Sequence, residues 1–252
     1  MKIATWNVNS IKARTAHVQR WLERVQPDIL CLQELKGLDF PEDAFPGYQP
    51  HSVTQKAYNG VALLSRHPAE ILLTKLPGDE EDEQARYIEA DIAGLRLINI
   101  YLPNGNPAPG DKFTYKLNWM ERLYQRLYEL RANETPFLIT GDFNVIPEPH
   151  DCWDPALWAE DALYRIETRR AFRKLLHLGL TDAFRALNQN DKQYTFWDYQ
   201  AGCWPKNKGI RIDHFLTSPP VTDRIRGCAI DRIPRGEESP SDHTPVILEL
   251  RG

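Results

Sequence analysis

Short apolar runs alternate with polar breaks along this chain, and the period of each run indicates its element. Residues 2–8 are apolar and β-prone and read as a buried strand. Ile11, Val18, Trp21, Leu22 and Val25 then fall on one face of a helix, which Pro27 ends. Residues 28–33 (DILCLQ) and 60–65 (GVALLS) read as further buried strands, and residues 86–92 with Leu95–Tyr101 predict a hairpin turning at Ala93 and Gly94. Asp111 is placed to cap a helix whose apolar side carries Leu117, Met120, Leu123, Tyr124 and Leu127. The run FLIT after Pro136 is another buried strand, stopping at Gly141 and Asp142. Ala171, Phe172, Leu175 and Leu176 predict a later helix with Gly179 as its stop. Residues 194–199, 210–216 and Val246–Leu250 predict the last strands. Many strands with few helices imply an α/β sandwich, two sheets packed face to face with helices outside. No repeat or low-complexity linker divides the chain, so a single domain over residues 1–252 is expected.

Polar residues recur at the ends of these strands. Asn7 follows IATW, Glu34 follows DILCLQ, Tyr101 follows LRLINI, and Asp142 and Asn144 follow FLITG. Asp213 lies inside IRIDHFL, and Asp242 and His243 precede TPVILEL. Asp and Asn also make turns at strand ends, so each position alone has a purely structural reading. The recurrence matters because the strands of a sandwich bring their ends to a common rim. A carboxylate such as Glu34, helped by the amide oxygen of Asn7, suits a hard divalent cation, magnesium where the substrate is a phosphate. An aspartate can orient or deprotonate water. His243 can donate to a phosphate oxygen if a carboxylate fixes its tautomer. No serine or cysteine stands in a nucleophile setting and there is no Gly-rich phosphate loop, so direct attack by water is expected.

Composition changes this picture little. With 252 residues, 42% of them hydrophobic, the chain can bury a full core. It has no apolar run of roughly 18 residues and no secretory leader pattern, so a cytoplasmic protein with no membrane partner is expected. Cys31, Cys152, Cys203 and Cys228 are far apart and read as reduced thiols. The net charge of -4 weighs mildly against a non-specific nucleic-acid binder, but the DEEDE run at 79–83, read as a solvated loop, holds five negative charges. Against it stands an aromatic cluster, Tyr194, Phe196, Trp197, Tyr199 and Trp204, just before Lys206, Lys208 and Arg211. Aromatics wedge into distorted duplexes and cations meet phosphates. The same aromatics would also suit a core strand, in which Phe196 and Trp197 would face opposite sides.

Seven segments in order, WNVNS (6–10), LQELK (32–36), NGVALLSR (59–66), YLPNG (101–105), GDFNV (141–145), RIDHFLTS (211–218) and SDHTPV (241–246), resemble the exonuclease III family. These are the abasic-site endonucleases of the endonuclease/exonuclease/phosphatase superfamily. The resemblance implies a four-layer α/β sandwich, magnesium with manganese as a substitute, and a monomer acting on double-stranded DNA with abasic sites or blocked 3′ ends. Glu34 matches the main metal ligand and Asn7 the amide beside it. Asp142 matches the aspartate that positions or activates water, and Asn144 its hydrogen-bonding neighbour. Tyr101 matches the tyrosine at the scissile phosphate or leaving group. Asp213 and His243 match the Asp–His pair, and Asp242 the carboxylate near a second metal position. Asp142, Asn144 and His243 are counted with Asn7, Glu34 and Asp242 in the metal-facing set. The resemblance leaves open which of Asp142, His243 and Tyr101 moves each proton.

Asn104, Trp197 and Arg211 are expected at the substrate, with Phe196, Ile210 and Ile212 near an abasic-sugar pocket. Ile210 stands where some relatives carry tryptophan, and Pro107 near where some place an arginine that enters the duplex. The implied reaction is incision 5′ to an abasic site, with exonuclease and 3′-repair activity beside it. One alternative is a phosphatase or lipid phosphodiesterase of the same superfamily. Another is a non-catalytic binding regulator, which should have lost several of the acidic groups present here.

Overall fold

In the computed structural model, which describes residues 1–190 and 192–252, the two strongest helical patterns each connect a pair of parallel strands. The strand β1 (Lys2–Asn7) leads through α1 (Ile11–Val25) into β2 (Ile29–Gln33). Then come β3 (Gln49–Val53), β4 (Val61–Ser65), β5 (Ala69–Leu73), β6 (Tyr87–Ile92) and β7 (Leu95–Tyr101). The helix α2 (Asp111–Ala132) crosses from β7 to β8 (Phe137–Asp142). The remainder comprises α3 (Pro155–Trp158), α4 (Ile166–Leu176), β9 (Thr181–Asp182), α5 (Ala183–Leu187), β10 (Asp213–Thr217), α6 (Pro219–Thr222), β11 (Ile225–Ile230) and β12 (Val246–Leu250). Among the described residues the strands form two mixed six-stranded sheets, ordered β11-β12-β1-β2-β4-β3 and β5-β6-β7-β8-β10-β9.

Side-chain alternation sorts the core into three apolar layers. Ile3, Ile29, Cys31, Val61 and Leu63 of the first sheet face Ala90, Leu97, Leu138 and Phe215 of the second, filling the space between the sheets. The alternate residues Ala4, Trp6, Leu30, Leu32 and Leu64 point outward against Val18, Trp21 and Leu22 of α1. Ile98, Ile100, Phe137 and Ile139 pack outward on Trp119, Leu123 and Leu127 of α2 and Phe172 and Leu175 of α4. The order helix, sheet, sheet, helix is the expected four-layer sandwich. Each fully buried Leu or Ile contributes about 1.5–3 kcal/mol, and truncating one such as Leu123 to Ala would cost about 2–5 kcal/mol.

Several local expectations are corrected. Residues 194–199 form no strand, because their N–H groups are met by two different segments. Thr195 and Phe196 donate to Ile210 O at 2.9 and 3.0 Å, and Trp197 donates to Asp242 O at 2.9 Å. Asp111 does not cap α2 but begins it, after Gly110, and acts as an acidic first-turn residue toward the helix dipole. The α1 helix ends at Val25, ahead of Pro27, with Gln26 in the left-handed region donating to Leu22 O. Asp82 of the acidic run is not solvated; it accepts from Tyr115 Oη at 2.9 Å and Arg122 Nη1 at 2.8 Å. The strand expected at 210–216 starts at Asp213. The strands β3, β5, β9 and β11 escaped the periodicity reading, since segments such as QPHSV lack a clean alternation.

Candidate active site

Strand direction explains why residues far apart in sequence meet. β1 and β2 run parallel, as do β7 and β8, so Asn7, Glu34, Tyr101 and Asp142 all lie at C-terminal ends on one rim. β10 is antiparallel to β8, which puts its first residue Asp213 directly opposite Asp142. β12 is antiparallel to β1, so the segment before Val246, with Asp242 and His243, lies beyond Thr5 beside Asn7. Ser241 Oγ ties that segment down by donating to Asn7 O at 2.7 Å. Gly141 lets β8 approach β7 just before Asp142: its φ is 135°, and a Cβ there would stand 2.0 Å from Ile100 O. Glu34 and Asn144 both adopt left-handed backbone, with φ of 58° and 48°. Such strain concentrates at functional sites.

The rim side chains form one connected set. Asn7 Nδ2 donates to Glu34 Oε2 and to Asp142 Oδ2, both at 2.9 Å. His243 Nδ1 lies 2.8 Å from Asp213 Oδ2, and its Nε2 lies 3.7 Å from Asp142 Oδ2. Asp142 Oδ1 accepts from the Asn144 N–H at 2.9 Å, and Asn104 Nδ2 donates to Asn144 Oδ1 at 3.3 Å. Asp242 accepts from Asn9 Nδ2 at 3.1 Å and the Asn9 N–H donates to Asn7 Oδ1, so Asn9 bridges the two segments. Burial alone would lower the His243 pKa, but Asp213 and then Asp142 outweigh it and push the ring up to about 10. Burial, with Asp213 beside it, lifts the Asp142 carboxyl to about 7. Burial and the charges of Glu34 and Asp142 push the Tyr101 hydroxyl far up, so it stays protonated.

The donor set fits a hard divalent cation at the carboxylates. Oxygens of Asp142 and Asp213 lie with a His243 nitrogen inside a 4.8 Å cluster, and Asp213 Oδ1 is buried with no hydrogen-bond partner among the described residues. Both ring nitrogens of His243 face carboxylates, Nδ1 toward Asp213 at 2.8 Å and Nε2 toward Asp142 at 3.7 Å. The Asn7 amide is oriented opposite to the expected direction: its Oδ1 accepts from the Asn9 N–H at 3.0 Å, and its NH2 group faces Glu34 and Asp142. Asn144 Nδ2 is spent on Leu102 O and its Oδ1 on Asn104. Glu34 and Asp142 are linked through the one Asn7 amide nitrogen, on the wall that also carries Asp242. Lys36 Nζ lies 3.0 Å from Glu34 Oε1 and moderates the negative charge there.

A cavity of about 290 Å3 opens over this set, with Glu34, Tyr101, Asn104, Asp142, Asn144, Asp242 and His243 on one wall. Phe196 and Ile212 face it as expected, with Trp158 and Leu163 beside them. The Phe196 ring meets His243 edge-on, 5.0 Å between centroids. Ile210 does not face this cavity; it lines an adjoining one. Trp197 is fully buried, donating to Asn207 Oδ1 at 3.2 Å and packing on Trp204, so it cannot reach substrate. Arg211 is likewise buried, 2.7 Å from Asp151 and 2.8 Å from Asp182, and stacked over Phe184. The reading of Trp197 and Arg211 as substrate contacts is therefore wrong: both hold the loop from inside.

Lys116 escaped the sequence reading. It is fully buried on the apolar face of α2 and donates to Asn104 O at 3.0 Å and Asn144 O at 2.6 Å, joining the two loops that carry those asparagines. Burial lowers its pKa to about 7. The signal available was its place among Phe113, Leu117 and Met120, where a lysine has no packing reason to be.

Comparison with known proteins agrees with this geometry. Residues 4–243 match the model of the endonuclease/exonuclease/phosphatase family. Exodeoxyribonuclease III of Haemophilus influenzae is 34% identical, with 100% of each chain covered. The structure of an AP endonuclease from Archaeoglobus fulgidus has a TM-score of 0.96 at 39% identity, covering 100% of both chains. The same TM-score, identity and coverage hold for a 3′-5′ exonuclease from Neisseria meningitidis. By sequence and by fold, the chain belongs to the endonuclease/exonuclease/phosphatase family, in its exodeoxyribonuclease III branch of DNA-repair nucleases, and is a phosphodiester hydrolase.

Proposed function

We propose that this chain is a magnesium-dependent phosphodiesterase that incises double-stranded DNA 5′ to abasic sites and clears blocked 3′ ends, acting as a cytoplasmic monomer. The observation that carries the reading is the meeting of Glu34, Asp142 and the Asp213–His243 pair across one cavity from Phe196 and Ile212. Those apolar side chains suit a deoxyribose without a base, and the polar wall suits the phosphate that precedes it.

Glu34 and Asp142 would hold the cation, which would supply charge neutralisation at the phosphoryl oxygens. Asp142, on the cavity wall beside the Asp213–His243 pair, accepts a proton from the attacking water. The water oxygen bonds to phosphorus while the bond to the 3′ oxygen breaks, leaving a 3′-hydroxyl and a 5′-phosphate. His243, held as imidazolium by Asp213, donates to a non-bridging oxygen where charge develops. Tyr101 is protonated and faces the same cavity, placed to donate to the leaving oxygen. Asn104 and Asn144, joined through Lys116, keep that wall in register.

The test is a gel assay on three end-labelled duplexes, carrying an abasic site, a 3′-phosphate and a recessed end, each with magnesium or EDTA. Cleavage 5′ to the abasic site in magnesium and none in EDTA is the expected result. Failure on all three duplexes alongside hydrolysis of a small phosphate ester would overturn the DNA reading. A second reading, in which 3′-end processing dominates, is supported by the 38% identical Neisseria structure described as a 3′ phosphatase bound to a product DNA hairpin. The same gel ranks the two.

A further inference from the structure

Beside the catalytic cavity lies a second one, of about 400 Å3, which shares Trp158, Asp161 and Phe196 with it. That size is within the range of roughly 300–1,000 Å3 usual for small-molecule sites. The two cavities therefore meet at a common aromatic wall a few atoms from His243, on which Phe196 rests. Ile210 forms its apolar floor. Trp153 and Leu157 belong to the second cavity and not to the first. Leu157, 67% exposed, adds apolar surface beside Trp153 and Trp158 in this cavity. Lys208 Nζ sits 4.4 Å from the Trp153 ring centroid, so a cation already occupies one face of this indole. Asp198 and Gln200 supply acceptors and a donor at the mouth.

Backbone contacts tie the segments that line this cavity to one another. Trp153 N–H donates to Gly209 O at 3.0 Å, Cys152 bridges to Ile210, and Ile210 bridges on to Phe196. These links fix the spacing between the two aromatic walls. Flat π-faces, a nearby amide and a cation are the features that receive a nucleobase with little sequence preference.

We propose that this adjoining cavity receives the base of an unpaired 3′-terminal nucleotide whose 5′ phosphate lies at Asp142 and His243. The inference rests on the phosphodiesterase reading above and deepens it. The catalytic cavity carries the polar groups that would meet the phosphate, whereas the adjoining one carries Trp153 and Trp158, the flat faces that would meet a base. The reaction is the same hydrolysis: water oxygen joins phosphorus, the bond to the 3′ oxygen of the penultimate nucleotide breaks, and a 5′-mononucleotide leaves with its base in the second cavity.

The experiment is calorimetric titration of the full chain, in magnesium chloride, with deoxyadenosine 5′-monophosphate and with 2-deoxyribose 5-phosphate. Wild-type protein should bind the nucleotide at least tenfold more tightly, consistent with one base stacked on an aromatic face. Trp153→Ala should bring the two affinities within about twofold while deoxyribose 5-phosphate binding stays unchanged. Leu157→Ala, at an exposed position that carries no folding risk, should reduce the preference in the same direction. Equal affinities in the wild type, or a full preference retained in both variants, would overturn the proposal. Binding needs no turnover, so the titration reads the base compartment even if the duplex assay fails. Failure of all duplex cleavage would sink the hydrolase reading instead.

Discussion

Replacing Asp213 with asparagine tests the heart of the site at nearly constant shape. Asp213 Oδ2 is 2.8 Å from His243 Nδ1 and is the strongest influence keeping the buried ring charged. Without that carboxylate, burial favours the neutral imidazole, and the pKa falls from about 10 toward or below its ordinary 6.5. The phosphate then loses a charged donor where negative charge builds up. Removing one such donor typically costs about 10²–10³ in turnover, or about 2.7–4 kcal/mol. The assay is single-turnover cleavage of an abasic duplex between pH 6 and 10.5. Wild-type rates should rise as the Asp142–His243 couple loses its first proton near 7 and fall as it loses the second near 10. In Asp213→Asn the alkaline fall should move to near neutral pH and the peak rate should drop by about 10²–10³. Stability carries the same signature. A ring with a raised folded-state pKa stabilises fully below 6.5, and this contribution is lost as pH rises through about 10. The gap in melting temperature between wild type and variant should therefore be widest near pH 6 and close toward pH 10. A variant within threefold of the parent rate, with its alkaline limb still near 10, would refute the role given to this pair.

Three further outcomes follow from the same geometry. Magnesium should raise the melting temperature of the wild type, because it binds the folded carboxylates, and Glu34→Gln should require at least about tenfold more magnesium for the same shift; an unchanged dependence would remove Glu34 from the cation site. Arg211→Met leaves Asp151 and Asp182 without their shared buried partner and should cost about 3–5 kcal/mol in denaturant unfolding. The salt dependence of DNA binding should not change, since no phosphate contact is lost; a slope lowered by about one would return Arg211 to the DNA. Burial raises the Asp151 pKa but Arg211 and Arg185 overcome it and hold the carboxyl at about 2. A depressed carboxyl stabilises above its ordinary 3.8 and loses that contribution as pH falls through about 2, so Asp151→Asn should flatten the acid limb of stability over that window. A parallel acid limb in wild type and variant would contradict this.

The sequence by itself determined the layers and the chemistry. Short, largely continuous apolar runs that lead into Asn7, Glu34, Tyr101 and Asp142, or lie beside Asp213, Asp242 and His243, mark buried strands whose ends carry polar groups. Local spacing is enough for that, because burial of a strand face and the need to end it are local demands. Tertiary structure alone decided which of those polar groups touch. Only the pairing of β10 against β8 sets Asp213 opposite Asp142, and only β12 against β1 brings His243 between them. It also decided direction. Asn7 turned its NH2 group, not its oxygen, to the carboxylates because the Asn9 N–H claims the oxygen. Trp197 and Arg211 turned inward because Asn207, Asp151 and Asp182, from distant segments, satisfy them there. Lys116 could enter the core only because two carbonyls from separate loops converge on its ammonium. A one-dimensional pattern gives each residue's tendency to be buried, whereas the partner that makes burying a polar group affordable comes from elsewhere in the chain.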